Sequence, residues 1–246
     1  MQRGEKLYEG KAKVVYATDQ PDQLLIEFKD EATAFDGKKR GTIAQKGVRN
    51  AAITAVIYRY LQDHGIPTHF LAQVSDTVLL VRKVKIIPLE VVVRNIAAGS
   101  FCRRLGWPEG QTLFNPLVEF FYKDDRLGDP LLTEDHIQLL RLATPEQVER
   151  LKTLALQVNQ LLQRFWSERG IVLVDFKLEF GQTPTGEILL ADEISPDTCR
   201  LWDASTGDKL DKDRFRQDLG RVEEAYAEIL RRVTSSPAAT PAERGK

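Results

Sequence analysis

Several short segments in the first third of the chain are rich in valine, isoleucine, leucine and aromatic residues and alternate with polar turns. They are Lys13 to Ala17, Gln23 to Phe28, His69 to Val74, Val78 to Val84 and Leu89 to Arg94, and such composition suits the pleated surface of a strand. Thr42 to His64 instead carries Val48, Ala52, Val56 and Tyr60 near helical spacing. It stops at His64-Gly65-Ile66-Pro67, a glycine-then-proline ending. The pattern predicts a sheet crossed by one helix. A second long helix is predicted from about Pro145 to Arg169, with Thr144 as N-cap, Pro145 in the first turn and Gln147 completing a capping box. Its apolar stripe is Val148, Leu151, Leu154, Val158, Leu161 and Phe165.

Gly170 ends that helix, and Ile171-Val172-Leu173-Val174 follows, apolar on both faces as in a covered strand. The turn-rich stretch Gly181 to Gly186 joins it to a partner strand over Glu187 to Glu193. An amphipathic helix from about Arg214 to Val233 closes the fold, and Thr234 to Lys246 lacks periodicity and reads as a disordered tail.

Charge narrows the function classes. Among 246 residues, 35 Lys+Arg minus 36 Asp+Glu gives a net charge of -1, so the basic field of a nucleic-acid or membrane-surface protein is missing and any basic site is local. No apolar run approaches the roughly 20 residues that cross a bilayer, and the charged start Met1-Gln2-Arg3-Gly4-Glu5-Lys6 does not resemble an export signal. Cys102 and Cys199 are too few for a disulfide framework, and His64, His69 and His136 have no ligand spacing. A cytoplasmic protein is expected, with no nucleic acid and no membrane as partner.

The richest chemistry lies in Val172-Leu173-Val174-Asp175-Phe176-Lys177-Leu178-Glu179-Phe180-Gly181, where a covered strand begins to alternate and places Asp175, Lys177 and Glu179 on one face. The plain alternative is a solvated charged face. If the turn sets Phe180 opposite Glu187, however, Asp175 falls opposite Asp192, and facing carboxylates destabilise a hairpin unless a cation sits between them. Mg²⁺ is the expected cation, since it takes one or two carboxylates together with substrate phosphates.

Two further segments suit anions. Tyr8-Glu9-Gly10-Lys11-Ala12-Lys13 is a glycine turn with two lysines. It is an ordinary hairpin on one reading and a flap over phosphates on the other, without the spacing of a Walker loop. Glu90 and Arg94 share one side of a strand that runs into Ala98-Gly99-Ser100. They form an exposed ion pair worth under about 1 kcal/mol, or Arg94 clamps a phosphate seated at a helix start beside Ser100. The polar loops Asp192 to Arg200 and Asp211 to Arg216 are turns first and sites second.

Taken together, the Gly10-Lys11-Ala12-Lys13 turn, the stretches P-L-E-V-V-V-R-N-x-A-A-G-S and V-D-F-K-L-E-F-G, and Asp211-Lys212-Asp213-Arg214-Phe215-Arg216 resemble the SAICAR synthetase family. The resemblance covers all but the tail. It implies an α+β fold with two sheet-bearing lobes, related to ATP-grasp enzymes and the kinase small lobe, with ATP in the cleft. A flap lobe would span 1–85 and a ligase lobe 86–233. The implied reaction joins L-aspartate to carboxyaminoimidazole ribonucleotide (CAIR) with ATP, through an acyl phosphate, giving the succinocarboxamide ribonucleotide (SAICAR), ADP and phosphate. By similarity Gly10, Lys11, Ala12, Lys13 and Lys123 belong to the ATP site, and Glu179 and Asp192 hold Mg²⁺. Arg94, Ser100 and Arg200 grip the ribonucleotide phosphate, and Lys177 neutralises the carboxylate under activation. Asp36, Glu90, Asp129, Asp175 and Lys212 are nearby polar candidates, Asp36 and Asp175 on the catalytic side. Cys199 stands where the family suggests a small serine-like residue, and a homodimer is implied.

Two other classes remain at this stage. A kinase-like phosphotransferase shares the flap and the acids, but neither H-R-D-x-x-x-x-N nor D-F-G occurs. A nucleotide- or RNA-binding module has no use for a lysine between two acids.

Overall fold

The computed structural model describes residues 2–34 and 37–235. In chain order the elements are β1 (Arg3–Glu9), β2 (Lys13–Thr18), β3 (Gln23–Phe28), the small hairpin β4 (Glu31–Ala34) and β5 (Lys39–Thr42), then α1 (Lys46–Asp63), β6 (Phe70–Gln73) and β7 (Val78–Arg82). There follow β8 (Lys85–Ile96), α2 (Ser100–Leu105), β9 (Thr112–Tyr122), β10 (Leu131–Leu132), α3 (Glu134–Leu139) and α4 (Pro145–Ser167). The chain closes with β11 (Ile171–Gln182), β12 (Ile188–Ala191), β13 (Cys199–Asp203), α5 (Asp213–Arg216) and α6 (Val222–Thr234).

Two antiparallel sheets carry the fold. The first runs β1-β2-β3-β7-β6, the second β10-β9-β8-β11-β12, with β13 also paired to β11. Period-2 alternation lets each central strand of the second sheet serve two environments at once. On β8, Leu89, Val91 and Val93 enter the core, and on β11 Phe176, Leu178 and Phe180 do the same. Beneath them lies α4, whose Leu151, Leu154, Val158 and Phe165 are buried. Thr144 and Gln147 form the expected capping box with Pro145 in the first turn. The opposite faces of β8 and β11 carry Glu90, Arg94, Asp175, Lys177 and Glu179, and line a cavity.

Three expectations are corrected. Helix α1 begins at Lys46, since Thr42 ends β5 and the Asp30 carboxylate accepts from the amides of Gln45 and Gly47, fixing the start there. The closing helix is broken: Asp218, Gly220 and Arg221 all take left-handed backbone, which a helix cannot continue through. Helix α5 takes the first residues of the expected stretch and α6 the last, running through Thr234, which was expected to start the tail; residues 236–246 lie outside the described residues.

The third correction is the β11–β12 register. Glu179 pairs with Ala191 and Phe180 with Leu190, so Phe180 does not face Glu187 and Asp175 does not face Asp192. Leu189 and Leu190 are fully buried, and keeping them in the core sets the register. Asp175 instead pairs with Arg94 on β8 and Arg200 on β13. The like-charge pair moves elsewhere, because Glu179 stands directly opposite Glu90 in the β11–β8 ladder.

Candidate active site

The flap is a tight turn between β1 and β2, closed by the Gly10 amide donating to the Lys13 carbonyl at 2.8 Å and anchored by the Lys29 amide on the Ala12 carbonyl at 2.8 Å. It reaches across to the second sheet. Lys11 Nζ lies 2.7 Å from Asp125 Oδ1, while Lys13 Nζ bonds Asp192 and stands 3.0 Å from Glu193. Burial alone would make Lys13 a weaker base, but the carboxylates of Asp192 and Glu193 outweigh it and hold its ammonium well above the ordinary lysine value. Asp192 takes a φ of 62°, a left-handed backbone that swings its side chain out of β12 toward the flap.

At the middle of the cavity, Lys177 Nζ lies 2.7 Å from Glu90 and 2.9 Å from Glu179, bridging the two opposed carboxylates. Lys123 adds a second cation 2.6 Å from Glu179. The cation that the facing acids require is therefore partly internal: lysines fill the place that sequence reasoning reserved for metal alone.

At the far end, Arg94 has every side-chain donor group engaged: Nε on Glu119 at 2.6 Å, one terminal nitrogen on Asp175 at 2.7 Å and the other on the Ser100 hydroxyl at 3.1 Å. No ion pair to Glu90 forms. Arg200 donates to Asp175 at 2.8 Å and to Asp213 at 2.8 Å. Gly99 sits beneath it with φ of 57°, and a Cβ there would stand 2.3 Å from an Arg200 terminal nitrogen. A Gly99→Ala change is expected to displace that guanidinium, raising the apparent KM for the phosphorylated substrate about tenfold or more, with the KM for ATP unchanged. Steady-state kinetics against each substrate checks it.

These clusters share one cavity of about 690 Å³. Every predicted site residue among the described residues lines it, namely Gly10, Lys11, Ala12, Lys13, Glu90, Arg94, Ser100, Lys123, Asp129, Asp175, Lys177, Glu179, Asp192, Arg200 and Lys212. Asp36 lies outside the described residues.

Residues 6–233 match the family model described as SAICAR synthetase. The chain belongs to the SAICAR synthetase family. The phosphoribosylaminoimidazole-succinocarboxamide synthase of Bacillus mycoides is 59% identical over 233 residues, covering 95% of this chain and 98% of that one. The crystal structure of the synthase from Ehrlichia chaffeensis superposes with a TM-score of 0.92 at 46% identity, covering 95% of this chain and all of the other. A SAICAR synthetase solved in complex with ADP gives a TM-score of 0.90 at 47% identity, covering 95% and 99%.

Sequence reading missed several members of this SAICAR synthetase cavity. Val15, Leu24, Ile26, Val81, Val84 and Ile86 form an apolar wall between the sheets; as alternating strand residues they read only as core. Asp197 lines the cavity and is held by the fully buried Lys46 at 3.0 Å and the Tyr226 hydroxyl at 2.6 Å. Lys212 lies 3.6 Å away, and burial pushes its ammonium below the usual lysine range. His69 is buried against the cavity with Nε2 unpartnered, and burial holds it neutral, down to about 4. Cys199, where a hydroxyl was expected, is buried with its thiol pushed up by burial, so it supplies no nucleophile. Among the described residues no helix is long and apolar enough to cross a membrane.

Proposed function

We propose that this chain is an ATP-dependent ligase that joins the amine of L-aspartate to the carboxylate of CAIR, giving SAICAR, ADP and phosphate, through an acyl phosphate. One observation carries the reading. A cationic flap from near the N-terminus and an acid-bearing strand more than 160 residues later close on a single cavity that also holds the arginine cluster. A triphosphate, a phosphorylated ribonucleotide and a dicarboxylic amino acid repel one another unless such cations meet them in one place.

In this reading residues 1–85 form a flap lobe and 86–233 a ligase lobe, with the base of ATP against the apolar wall and its phosphates under Gly10, Lys11, Ala12 and Lys13. Lys123 joins the nucleotide side. Arg94, Ser100 and Arg200 receive the ribonucleotide phosphate, Lys177 faces the carboxylate that becomes the acyl phosphate, and Asp36, Asp175, Glu90 and Lys212 complete the substrate walls. Among the described residues no group of three or more His, Cys, Asp or Glu gathers to hold a metal alone. Two carboxylates, Glu179 and Asp192, with triphosphate oxygens completing the shell, do fit Mg²⁺. When bound there, Mg²⁺ would supply charge neutralisation on the triphosphate. The substrates carry several charges and cannot leak through a bilayer, which supports a cytoplasmic enzyme, and we assign it the homodimeric state the family resemblance implies.

The deciding assay is ADP release. It is expected only when CAIR and L-aspartate are both present with ATP, with inorganic phosphate released in equal amount. Phosphate retained on an organic product would indicate a kinase-like phosphotransferase and overturn the ligase.

A further inference from the structure

Among the described residues, every carboxylate lining the cavity except Asp129 lies within ion-pair distance of a lysine or arginine. Asp129 has no such partner, and among the described residues no side chain hydrogen-bonds its carboxylate; only the Asp124 backbone does. It follows Gly128 in a left-handed pair of residues, φ of 71° and then 47°, which turns the chain into β10 and leaves Asp129 half-buried at the cavity wall.

We infer that Asp129 is the proton acceptor for the incoming amine of L-aspartate. This rests on the ligase reading above. The amino acid arrives as an ammonium with no lone pair to offer. One N–H proton passes to an Asp129 oxygen. The freed lone pair forms the N–C bond to the acyl phosphate carbon, and the C–O bond to phosphate breaks. Phosphate leaves with that electron pair and takes the second N–H proton, while Asp129 returns its proton to water.

The surroundings suit the role. A carboxylate locked to a cation is a weak base, as Asp192 is here beside Lys13. The groups facing Asp129 are Glu90 from β8, Asp125 from the preceding turn and Lys177 from β11, with the Asp124 carbonyl accepting from its amide. Burial, then Glu90 and Asp125, raise its carboxyl above the ordinary aspartate value, and Lys177 and the Asp124 backbone only partly oppose them. Lys177 is also the cation assigned to the carboxylate under activation, so Asp129 is near the reacting centre.

The test compares two nucleophiles. Hydroxylamine is neutral near pH 7 and needs no base to attack an acyl phosphate. Asp129→Asn is expected to lower kcat with L-aspartate about 10²- to 10⁴-fold, with hydroxamate from hydroxylamine forming at nearly the wild-type rate. Equal loss with both nucleophiles, or an aspartate rate within about threefold of wild type, overturns the inference. If the wild-type enzyme forms no hydroxamate, the acyl phosphate reading itself fails. The pH dependence then still decides on Asp129: the acidic limb of kcat must vanish in Asp129→Asn and reappear, shifted, in Asp129→Glu, and an unmoved limb in both rejects the proton acceptor.

Discussion

Lys177→Ala is expected to lose turnover by roughly two to three orders of magnitude, the usual cost of removing one preorganised charge from a reacting centre, while ATP and CAIR still bind. The reason is the geometry of the ladder. Glu179 and Glu90 are direct cross-strand partners, and the Lys177 ammonium stands within 2.9 Å of both. Without it two carboxylates face each other across about the width of one strand pair, and Lys123 reaches only Glu179. The variant therefore also acquires a further pH dependence of stability beyond that of the wild type. In the variant, repulsion raises the folded-state pKa of one carboxylate above its unfolded value. The folded state then binds the extra proton, and stability falls as pH rises through that pKa. In the wild type, burial alone would weaken Lys177 as a base, but Glu179 and Glu90 hold its folded value well above the ordinary one. That contribution is complete below the ordinary lysine pKa and is lost only as pH rises toward the folded value. Urea unfolding at pH 5 and pH 8 should thus show a stability gap in Lys177→Ala larger than in wild type. A kcat within about threefold of wild type would remove Lys177 from the chemistry.

The sequence made some of this legible and hid the rest for identifiable reasons. Helix α4 was readable because its start is a local event: Thr144, Pro145 and Gln147 satisfy one another within a single turn. The β11 face was readable because alternation is intrinsic to a strand. The β11–β12 register was not, since it depends on how many residues the Thr183 turn consumes and on Leu189 and Leu190 competing for the core. Lys46 could not be found at all. A lysine at a helix start reads as solvated, and its complete burial follows only from the arrival of Asp197 from 151 residues away. The break at Gly220 was likewise masked, because the apolar spacing of the last helix extrapolates smoothly across it. Long-range pairing thus decided the register and Lys46, whereas the break near Gly220 is a local run of left-handed backbone.

Long-range pairing also decides what Arg94→Ala does. Sequence spacing suggested an arginine free to clamp a phosphate, or one loosely paired on a strand surface. The loose surface pair does not form: Arg94 is 2% exposed, and its guanidinium is shared among Glu119, Asp175 and Ser100. Breaking a buried ion pair by removing one partner costs about 3–5 kcal/mol, because a charge is left uncompensated. Here each abandoned carboxylate keeps another cation: Arg200 remains on Asp175, and Arg104 remains on Glu119. The expected loss is therefore at the low end, about 3 kcal/mol, which in a domain of this size lowers Tm by roughly 6–12 °C. Kinetically, the apparent KM for CAIR should rise far more than that for ATP, since Arg94 and Ser100 lie at the arginine end of the cavity, apart from the flap. Arg94→Lys should recover little of either loss, because a point charge cannot span three partners as a planar guanidinium does. Calorimetric melting and substrate-by-substrate kinetics separate the two effects: an unchanged Tm would deny the buried network, and a change confined to the ATP KM would move Arg94 to the nucleotide end.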